Sequence, residues 1–221
     1  MRRISLLLVL VLLSPAGVAL AQDRPVNVDP LEAINRPLFE FNNQLDRFLL
    51  RPVAVGYDRV MPQVARRGIG NLFANLYDFN SAINGLLQAR FMGAAQGGGR
   101  FLINSTVGIA GLFDVATPLG IRPYRTDFGH TLAIWGVKPG PYVMVPFFGP
   151  RTFRSGTGTI FDVYTSIPAY LDNVPLRNTL WGTELIDGRA RLLDADELLS
   201  GDTYIFVRDA YLQSRETFVH D

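Results

Sequence analysis

Apolar positions recur at helical spacing over most of this chain, and the interruptions divide it into elements. Asp29-Pro30-Leu31-Glu32 has the form of a helix start: an acid that can cap, a proline suited to the first helical position, and a glutamate three residues after the cap. Ile34, Leu38, Phe41, Leu45 and Phe48 then share one face. Pro37 falls inside that face, so the pattern predicts a short first turn, a break near Asn35, and a main helix to about Leu50 ended by Arg51-Pro52. A short helix over residues 53–60 is closed by Pro62. Leu72, Leu76, Phe79, Ile83 and Leu86 keep the next face, with Asp78 placed to restart a helix. Gly93 and Gly97-Gly98-Gly99 are expected to separate a fourth helix from the stretch that follows.

That stretch, FLINSTVGIAGLFDVATPLGI over residues 101–121, carries a single charge, Asp114. It is too apolar for an ordinary helix with one wet face, and Asn104, Gly108, Gly111 and Pro118 break it too often for a spanning helix. Its uncharged part, residues 101–113, would reach about 20 Å as helix against a hydrocarbon core of about 30 Å. It is either a buried core hairpin or a segment that dips into lipid and turns back. Over residues 120–150 no helical period survives; Pro123, Pro139, Pro141, Pro146 and Pro150 punctuate an apolar, aromatic loop that is too rich in rings to be disordered. Residues 142–145 form a short strand-like run too isolated to imply a sheet. Helical texture resumes after Arg151: Ile160, Val163, Tyr164, Ile167 and Leu171 share a face, Pro175 starts a longer helix with a Leu185, Leu192 and Leu199 seam, and Val207, Ala210, Tyr211, Ser214 and Phe218 mark a last one. The fold class expected is all-α, a single domain of amphipathic helices with an ordered loop region rich in proline and glycine.

Composition changes the picture at the start of the chain. Arg2 and Arg3, the apolar run over residues 4–13 and the small-x-small site Ala19-Leu20-Ala21 read as a secretory signal peptide over residues 1–21, leaving a mature domain over residues 22–221. The mature net charge is near −1, so no basic field points to nucleic acid. Lys138 is the only lysine, and the remaining cations are arginines. With no cysteine the exported chain holds no disulfide and no thioether-linked lipid at the cleavage site. Over the full 221 residues, 48% hydrophobic residues and 15 phenylalanines are high for a soluble exported protein, and the signal peptide accounts for only part of that.

Catalytic chemistry has little to draw on. The only histidines are His130 and His220, and no nucleophile elbow, HExxH, CxxC, P-loop or GxGxxG is present. No catalytic residue, metal site or cofactor is expected; a base formed by His130 with Asp127 is the one enzymatic reading, set against a hydrogen-bonded structural histidine. Arg66-Arg67 is either a solvated charge pair or a phosphate-facing patch at a membrane interface. Trp135 and Trp181 are either core or interfacial anchors.

Several motifs, taken in order, carry a resemblance. Asp29, Pro30, Leu31, Glu32, Asn35 and Arg36 form DPLExxNR; Arg51-Pro52-Val53-Ala54, Arg66 with Asn71-Leu72, Gly99-Arg100-Phe101 with Asn104-Ser105-Thr106, residues 108–114, and the TDFGHT of residues 126–131 follow. Gly140, Pro141 and Tyr142 come next with Pro146, Gly149 and Pro150, and then Leu192-Leu193-Asp194 with Tyr204 and residues 208–211. This ordered set resembles the MlaA (VacJ) family of outer-membrane phospholipid-transport proteins over about residues 28–217. The resemblance implies a ring of amphipathic helices around a central channel, lying in the inner leaflet of the outer membrane on its periplasmic side. It implies removal of mislocalised phospholipids from the outer leaflet and their transfer to a periplasmic lipid-carrier protein, which preserves outer-membrane lipid asymmetry, with no enzymatic step. An outer-membrane porin trimer is the other implied partner. Family members are commonly lipoproteins, and this chain departs from them in lacking the cysteine.

Polar residues inserted in lipid-like segments are the candidate channel wall: Asn104, Ser105, Thr106 and Asp114, with Arg151, Arg154, Ser155 and Thr157. Gly97, Gly98, Gly99, Gly108 and Gly111 supply either hinges for gating or close-packing positions. The alternative reading from another class is a soluble periplasmic helical protein that binds a lipid or a partner without channel activity.

Overall fold

The computed structural model describes residues 29–198 and 201–220. The expected signal peptide and Leu199 lie outside the described residues. The elements in chain order are α1 (Glu32–Leu45), a π-helical turn (Asp46–Leu50), α2 (Arg51–Val60), α3 (Gln63–Leu87), α4 (Phe91–Thr106) and α5 (Phe128–Ile134). A hairpin of β1 (Tyr142–Val145) and β2 (Gly149–Thr152) follows, then α6 (Phe153–Thr165), a 3-10 turn (Ile167–Tyr170), α7 (Val174–Ala190), a second 3-10 turn (Asp194–Leu198) and α8 (Thr203–His220).

Several boundaries differ from those expected, each for a local reason. No break occurs near Asn35: α1 runs through Pro37, and Asn35 is buried in its first turns. Nor does the chain leave the helix at Arg51-Pro52. Leu50 and Arg51 keep helical dihedrals, and the π-helical turn before Pro52 widens the backbone where a proline ring would meet the carbonyl of the preceding turn. Asp78 does not restart a helix but sits buried in the middle of the 25-residue α3. Gly93 and Gly97-Gly98-Gly99 do not separate elements; they lie within α4 because α4 packs closely along α3. A Cβ on Gly97 would stand 2.8 Å from the Asp78 carbonyl oxygen, and one on Gly85 would stand 2.8 Å from the Ala94 nitrogen. The 120–150 region also contains α5, whose start is capped by Asp127 accepting from the His130 amide.

Residues 142–145 do pair, antiparallel, with β2 in the register Tyr142↔Thr152 to Val145↔Gly149. The other edge of β1 is covered by a helix. Asn35 donates to the Tyr142 carbonyl at 3.0 Å and accepts from the Met144 amide at 2.8 Å. Two turns on, Asn42 donates to the Val145 carbonyl at 3.0 Å and accepts from the Phe147 amide at 2.9 Å. Seven helical residues rise about 10.5 Å and three strand residues about 10 Å, so the two asparagines match the strand's repeat and stand in for a third strand.

The partition of side chains is inverted. The buried apolar residues are few and mostly small or hydroxylated: Ala54, Ala94, Ala116, Tyr142, Met144 and Tyr204. Buried polar ones include Asn75, Asp78, Ser81, Asn84, Arg100 and Thr131. Large apolar side chains face outward instead: Val60 is 83% exposed, Phe48 72%, Met92 75% and Phe91 70%. Among the described residues no helix is long and apolar enough to cross a membrane. The elements pack in a circuit: α3 on α5, α5 on α6, α6 on β2, β1 on α1, the π-helical turn on α2, α2 on α7, and α7 back on α3.

Candidate functional site

The polar interior is organised by α3. Asn71, Asn75, Asp78, Ser81, Asn84 and Gln88 recur every three or four residues, which aligns them on one stripe that turns inward. Asn75 donates to Ser105 Oγ at 2.8 Å, Ser81 exchanges bonds with the Thr126 backbone, and Asn84 accepts from Thr131 Oγ1 at 2.8 Å. Gln88 donates to Thr126 and Thr131 and accepts from the Tyr124 hydroxyl. Asp162 of α6 reaches the same stripe, accepting from Asn80 and Asn84 and from the Phe128 amide. Burial pushes its carboxyl above the usual range, since these donors are all neutral.

Four of the expected channel-wall residues lie where the apolar stretch folds back on α4. Asn104 is buried; its Oδ1 accepts from the amides of Val115 and Ala116 at 2.8 and 3.0 Å, and its Nδ2 donates to Asp114 at 3.2 Å. Asp114 also accepts from the Thr117 amide and hydroxyl. Burial pushes the Asp114 carboxyl up, but the Thr117 bonds, Arg100 and Asn104 outweigh it and hold it below the usual range. Arg100, 3% exposed, donates to Asp78 on α3, to Thr117 Oγ1, to the Ile121 carbonyl and to Asp114, so one guanidinium fastens the folded-back segment to the helix beneath it. Ser105 is bound by Asn75, while Thr106 is exposed and bonds back to the Leu102 carbonyl. The outer face of the same segment is apolar: Val107, Ile109, Phe113 and Leu119 are exposed. Ile109 and Ala110 both hold positive φ, which is costly for a β-branched residue, and a Cβ on Gly111 (φ +90°) would stand 2.7 Å from the Asn75 amide.

The other four belong to a second cluster around α5, α6 and α8, and among the described residues no hydrogen bond or ion pair joins them to the first four. Ser155 completes a capping box with Thr152 and lies 2.6 Å from the Tyr211 hydroxyl. Arg154 donates to the Val137 carbonyl, Arg151 to the Pro150 carbonyl, and exposed Thr157 to the Phe153 carbonyl. Beside them Arg215 of α8 makes a two-pronged bond to Asp127. Burial raises the Asp127 carboxyl, but Arg215 and the His130 side chain and amide outweigh it and leave it below the usual range.

His130 Nδ1 lies 3.2 Å from Asp127, yet burial drives the imidazole down to about 4. Between pH 6.5 and 4 the unfolded chain therefore binds a proton at this site that the folded protein refuses. Stability from His130 is complete above pH 6.5 and is lost on acidification, by about 3 kcal/mol once pH 4 is reached. Asp127 adds a further loss below its unfolded value of about 4. The unfolding free energy of detergent-solubilised protein is expected to fall steadily from pH 6.5 to 4, and His130→Gln to flatten that slope; an unchanged slope would refute the assignment. The same burial makes a neutral, packed imidazole of His130.

The DPLExxNR residues form a clasp rather than a ligand site. Asp29 accepts from Asn35 at 2.8 Å and from the Tyr204 hydroxyl of α8, and Arg36 bridges Glu32 and Asp202 while lying 4.6 Å over the Tyr204 ring. Tyr142 packs edge-on against Tyr204 and Tyr211. The motif therefore ties the first helix to the β-hairpin and the last helix. Gly140, at φ +68°, packs a would-be Cβ against Phe153, and Gly149 turns the hairpin at φ +74°. Of the glycines considered as hinges, Gly97 and Gly108 have backbone where a side chain would stand, Gly98 is in ordinary contact with Ala82, and Gly99 faces open space.

As a buried set, the α3 stripe and Asp162 are hard to find in sequence because asparagines on a helix read as its wet side. Their signal was present: polar residues at the period of one face, opposite Leu72, Phe79 and Leu86.

Comparison with known proteins adds a lineage to this geometry. The family model for MlaA lipoprotein matches residues 27–217. The intermembrane phospholipid transport system lipoprotein MlaA of Escherichia coli (strain K12) is 38% identical over 200 residues, covering 88% of this chain and 79% of that protein. Its namesake in Haemophilus influenzae is 33% identical over 201 residues, covering 87% and 80%. A solved structure from work on the structural basis for maintenance of bacterial outer membrane lipid asymmetry superposes with a TM-score of 0.77 at 40% identity, covering 86% of this chain and 98% of that one.

Proposed function

The chain belongs to the MlaA lipoprotein family, and from that premise we propose that it withdraws mislocalised phospholipid from the outer leaflet of the outer membrane and delivers it to a periplasmic lipid carrier. It is a phospholipid-transport protein of the outer membrane, facing the periplasm, and works without an enzymatic step. The observation that carries this reading is the inverted partition: exposed Val60, Phe48, Met92 and Phe91 around a buried network of Asn75, Asp78, Asn84 and Arg100. In water such a surface has no favourable environment, whereas in a bilayer both halves are satisfied. It also weighs against the soluble periplasmic alternative.

The finer picture is a ring in the inner leaflet with a polar channel through it. The circuit of packed elements supports it, as does the 101–121 segment, apolar outside and polar inside. A segment that only has to reach into one leaflet needs about half the roughly 30 Å of the hydrocarbon core, which suits its length. On this reading the exposed Thr106 and Thr157 border the lipid path, together with Ser105, Arg151, Arg154 and Ser155. Asn104 and Asp114 fix the segment that forms one wall. A porin trimer supplies the outer-membrane partner.

The test is complementation of a Gram-negative strain that lacks its own family member, with outer-leaflet phospholipid measured directly. The native chain is expected to restore asymmetry. Asp114→Arg at normal abundance is expected to raise outer-leaflet phospholipid several-fold and to sensitise cells to detergent. Wild-type asymmetry in that variant would remove the segment from the path.

A further inference from the structure

Where α2, α3 and α7 meet, beside the folded-back segment, a cleft of about 250 Å³ is lined by arginines from two helices. Arg66 and Arg67 come from α3 and Arg191 from the end of α7. Two carboxylates answer them. Arg66 pairs with Asp58, and Arg191 donates to Asp187 at 2.8 Å. Asp187 is itself buried and also accepts from the Tyr57 hydroxyl at 3.0 Å, so its charge is spent inside the fold. Arg67 makes no ion pair or hydrogen bond with any described residue, and Arg66 Nε is buried without a hydrogen-bond partner among them. The cleft therefore holds one guanidinium in excess and donors left unused.

The local sequence makes room for this arrangement. Gly70 lets the Arg191 guanidinium lie across α3, in the space a side chain there would fill. Val60 and Val64, among the most exposed apolar residues described, lie three residues along α2 and α3 from the lining residues Tyr57 and Arg67, a spacing that sets them on neighbouring surface. Asn71 donates to the Leu112 carbonyl at 3.1 Å, joining the cleft to the folded-back segment. Cationic donors beside an apolar rim suit a ligand that is anionic at one end and oily at the other. Guanidinium groups match phosphate oxygens in forked geometry better than they match a point charge.

We propose that this cleft binds the phosphodiester of a phospholipid headgroup, with Arg67 as its free cation, Arg66 and Arg191 as flanking donors, and the acyl chains along Val60 and Val64. The assignment rests on the lipid-transport reading above and gives it a station beside the folded-back segment. Arg67 is the position to change, because its side chain makes no hydrogen bond or ion pair with any described residue.

The experiment uses the full chain purified in mild detergent and native mass spectrometry. The probes are phosphatidylglycerol, diacylglycerol with the same acyl chains, and phosphatidylglycerol with excess inorganic phosphate. The native protein is expected to retain phosphatidylglycerol over diacylglycerol and to keep it in the presence of inorganic phosphate. Arg67→Gln and Arg67→Glu are expected to lower that retention about tenfold, the loss of one charge-assisted contact, with unchanged helix content. Equal retention of diacylglycerol, or native retention in both variants, would overturn the proposal. Displacement by inorganic phosphate would also overturn it, by assigning the cleft to the free ion. The two readings fail separately. Unaltered binding in the Arg67 variants, with asymmetry still restored by the native chain, sinks only the cleft; failure of the native chain to restore asymmetry sinks the transport reading itself.

Discussion

Asp78→Ala is expected to destabilise the protein by about 3 kcal/mol, because it removes the buried carboxylate nearest Arg100 and leaves that cation only the longer, partly exposed pair with Asp114. Asp78 and Arg100 are 4% and 3% exposed and 2.9 Å apart, and Arg100 also holds Thr117, the Ile121 carbonyl and Asp114. The pair is not a simple source of stability. Burial pushes the Asp78 carboxyl above its ordinary value despite the attraction of Arg100, so desolvation exceeds what the pairing returns. That imbalance gives the prediction its second half: Asp78→Leu with Arg100→Met is expected to recover much of the loss, while the folded-back segment, deprived of its fastening, loosens. Denaturant unfolding in micelles reads the first effect, and limited proteolysis within residues 107–121 reads the second. A single variant as stable as the native protein would show that the network does not hold the segment.

Gly97→Val is expected to cost about 1–3 kcal/mol or more through overpacking, since its Cβ would stand 2.8 Å from the Asp78 carbonyl oxygen and 3.0 Å from the Ala82 nitrogen, backbone atoms that cannot turn aside. Gly99, two residues along the same helix, has nothing within 4 Å of its Cβ position. There Gly99→Ala is expected to stabilise by about 0.5–1 kcal/mol through helix propensity alone. Thermal unfolding of the two variants separates close packing from hinge flexibility. If Gly99→Ala left stability untouched but impaired transport, glycine at 99 would be acting as a joint.

Much of the architecture was legible in sequence where the ordinary rules of a water-facing protein still apply. The stop before Pro62 and the start of α7 at Pro175 lie where turn chemistry puts them. The errors share one cause. Asp78 matches a helix start and Gly97-Gly98-Gly99 a separator because polar residues and glycines ordinarily mark surfaces and breaks. In this protein the polar face is the inside, so the acid belongs to the core and Gly97 to a helix–helix contact. Strand β2 was hidden because Gly149-Pro150 opens it, and α5 because seven residues hold too little of a period to detect. Of the candidate site, Asn104 and Asp114 were conspicuous as polar residues in an apolar run, and the structure brings them into direct contact. Arg151, Arg154, Ser155 and Thr157 belong to a different cluster, because polar insertion in an apolar segment carries no information about which helices pack together.

The inverted partition also bears on how this molecule reaches its place of work. The hydrophobic effect, which collapses most chains in water, here rewards the wrong burial: it would draw Phe48, Val60, Phe91 and Met92 inward and turn Asn75, Asn84 and Arg100 out. The native arrangement is favoured only once oil is available on the outside. An exported chain of this kind must cross an aqueous compartment before it meets that oil, and during the crossing its finished form is not its most stable one. Insertion and folding are therefore expected to be a single event, with the apolar segments finding their environment only at the membrane.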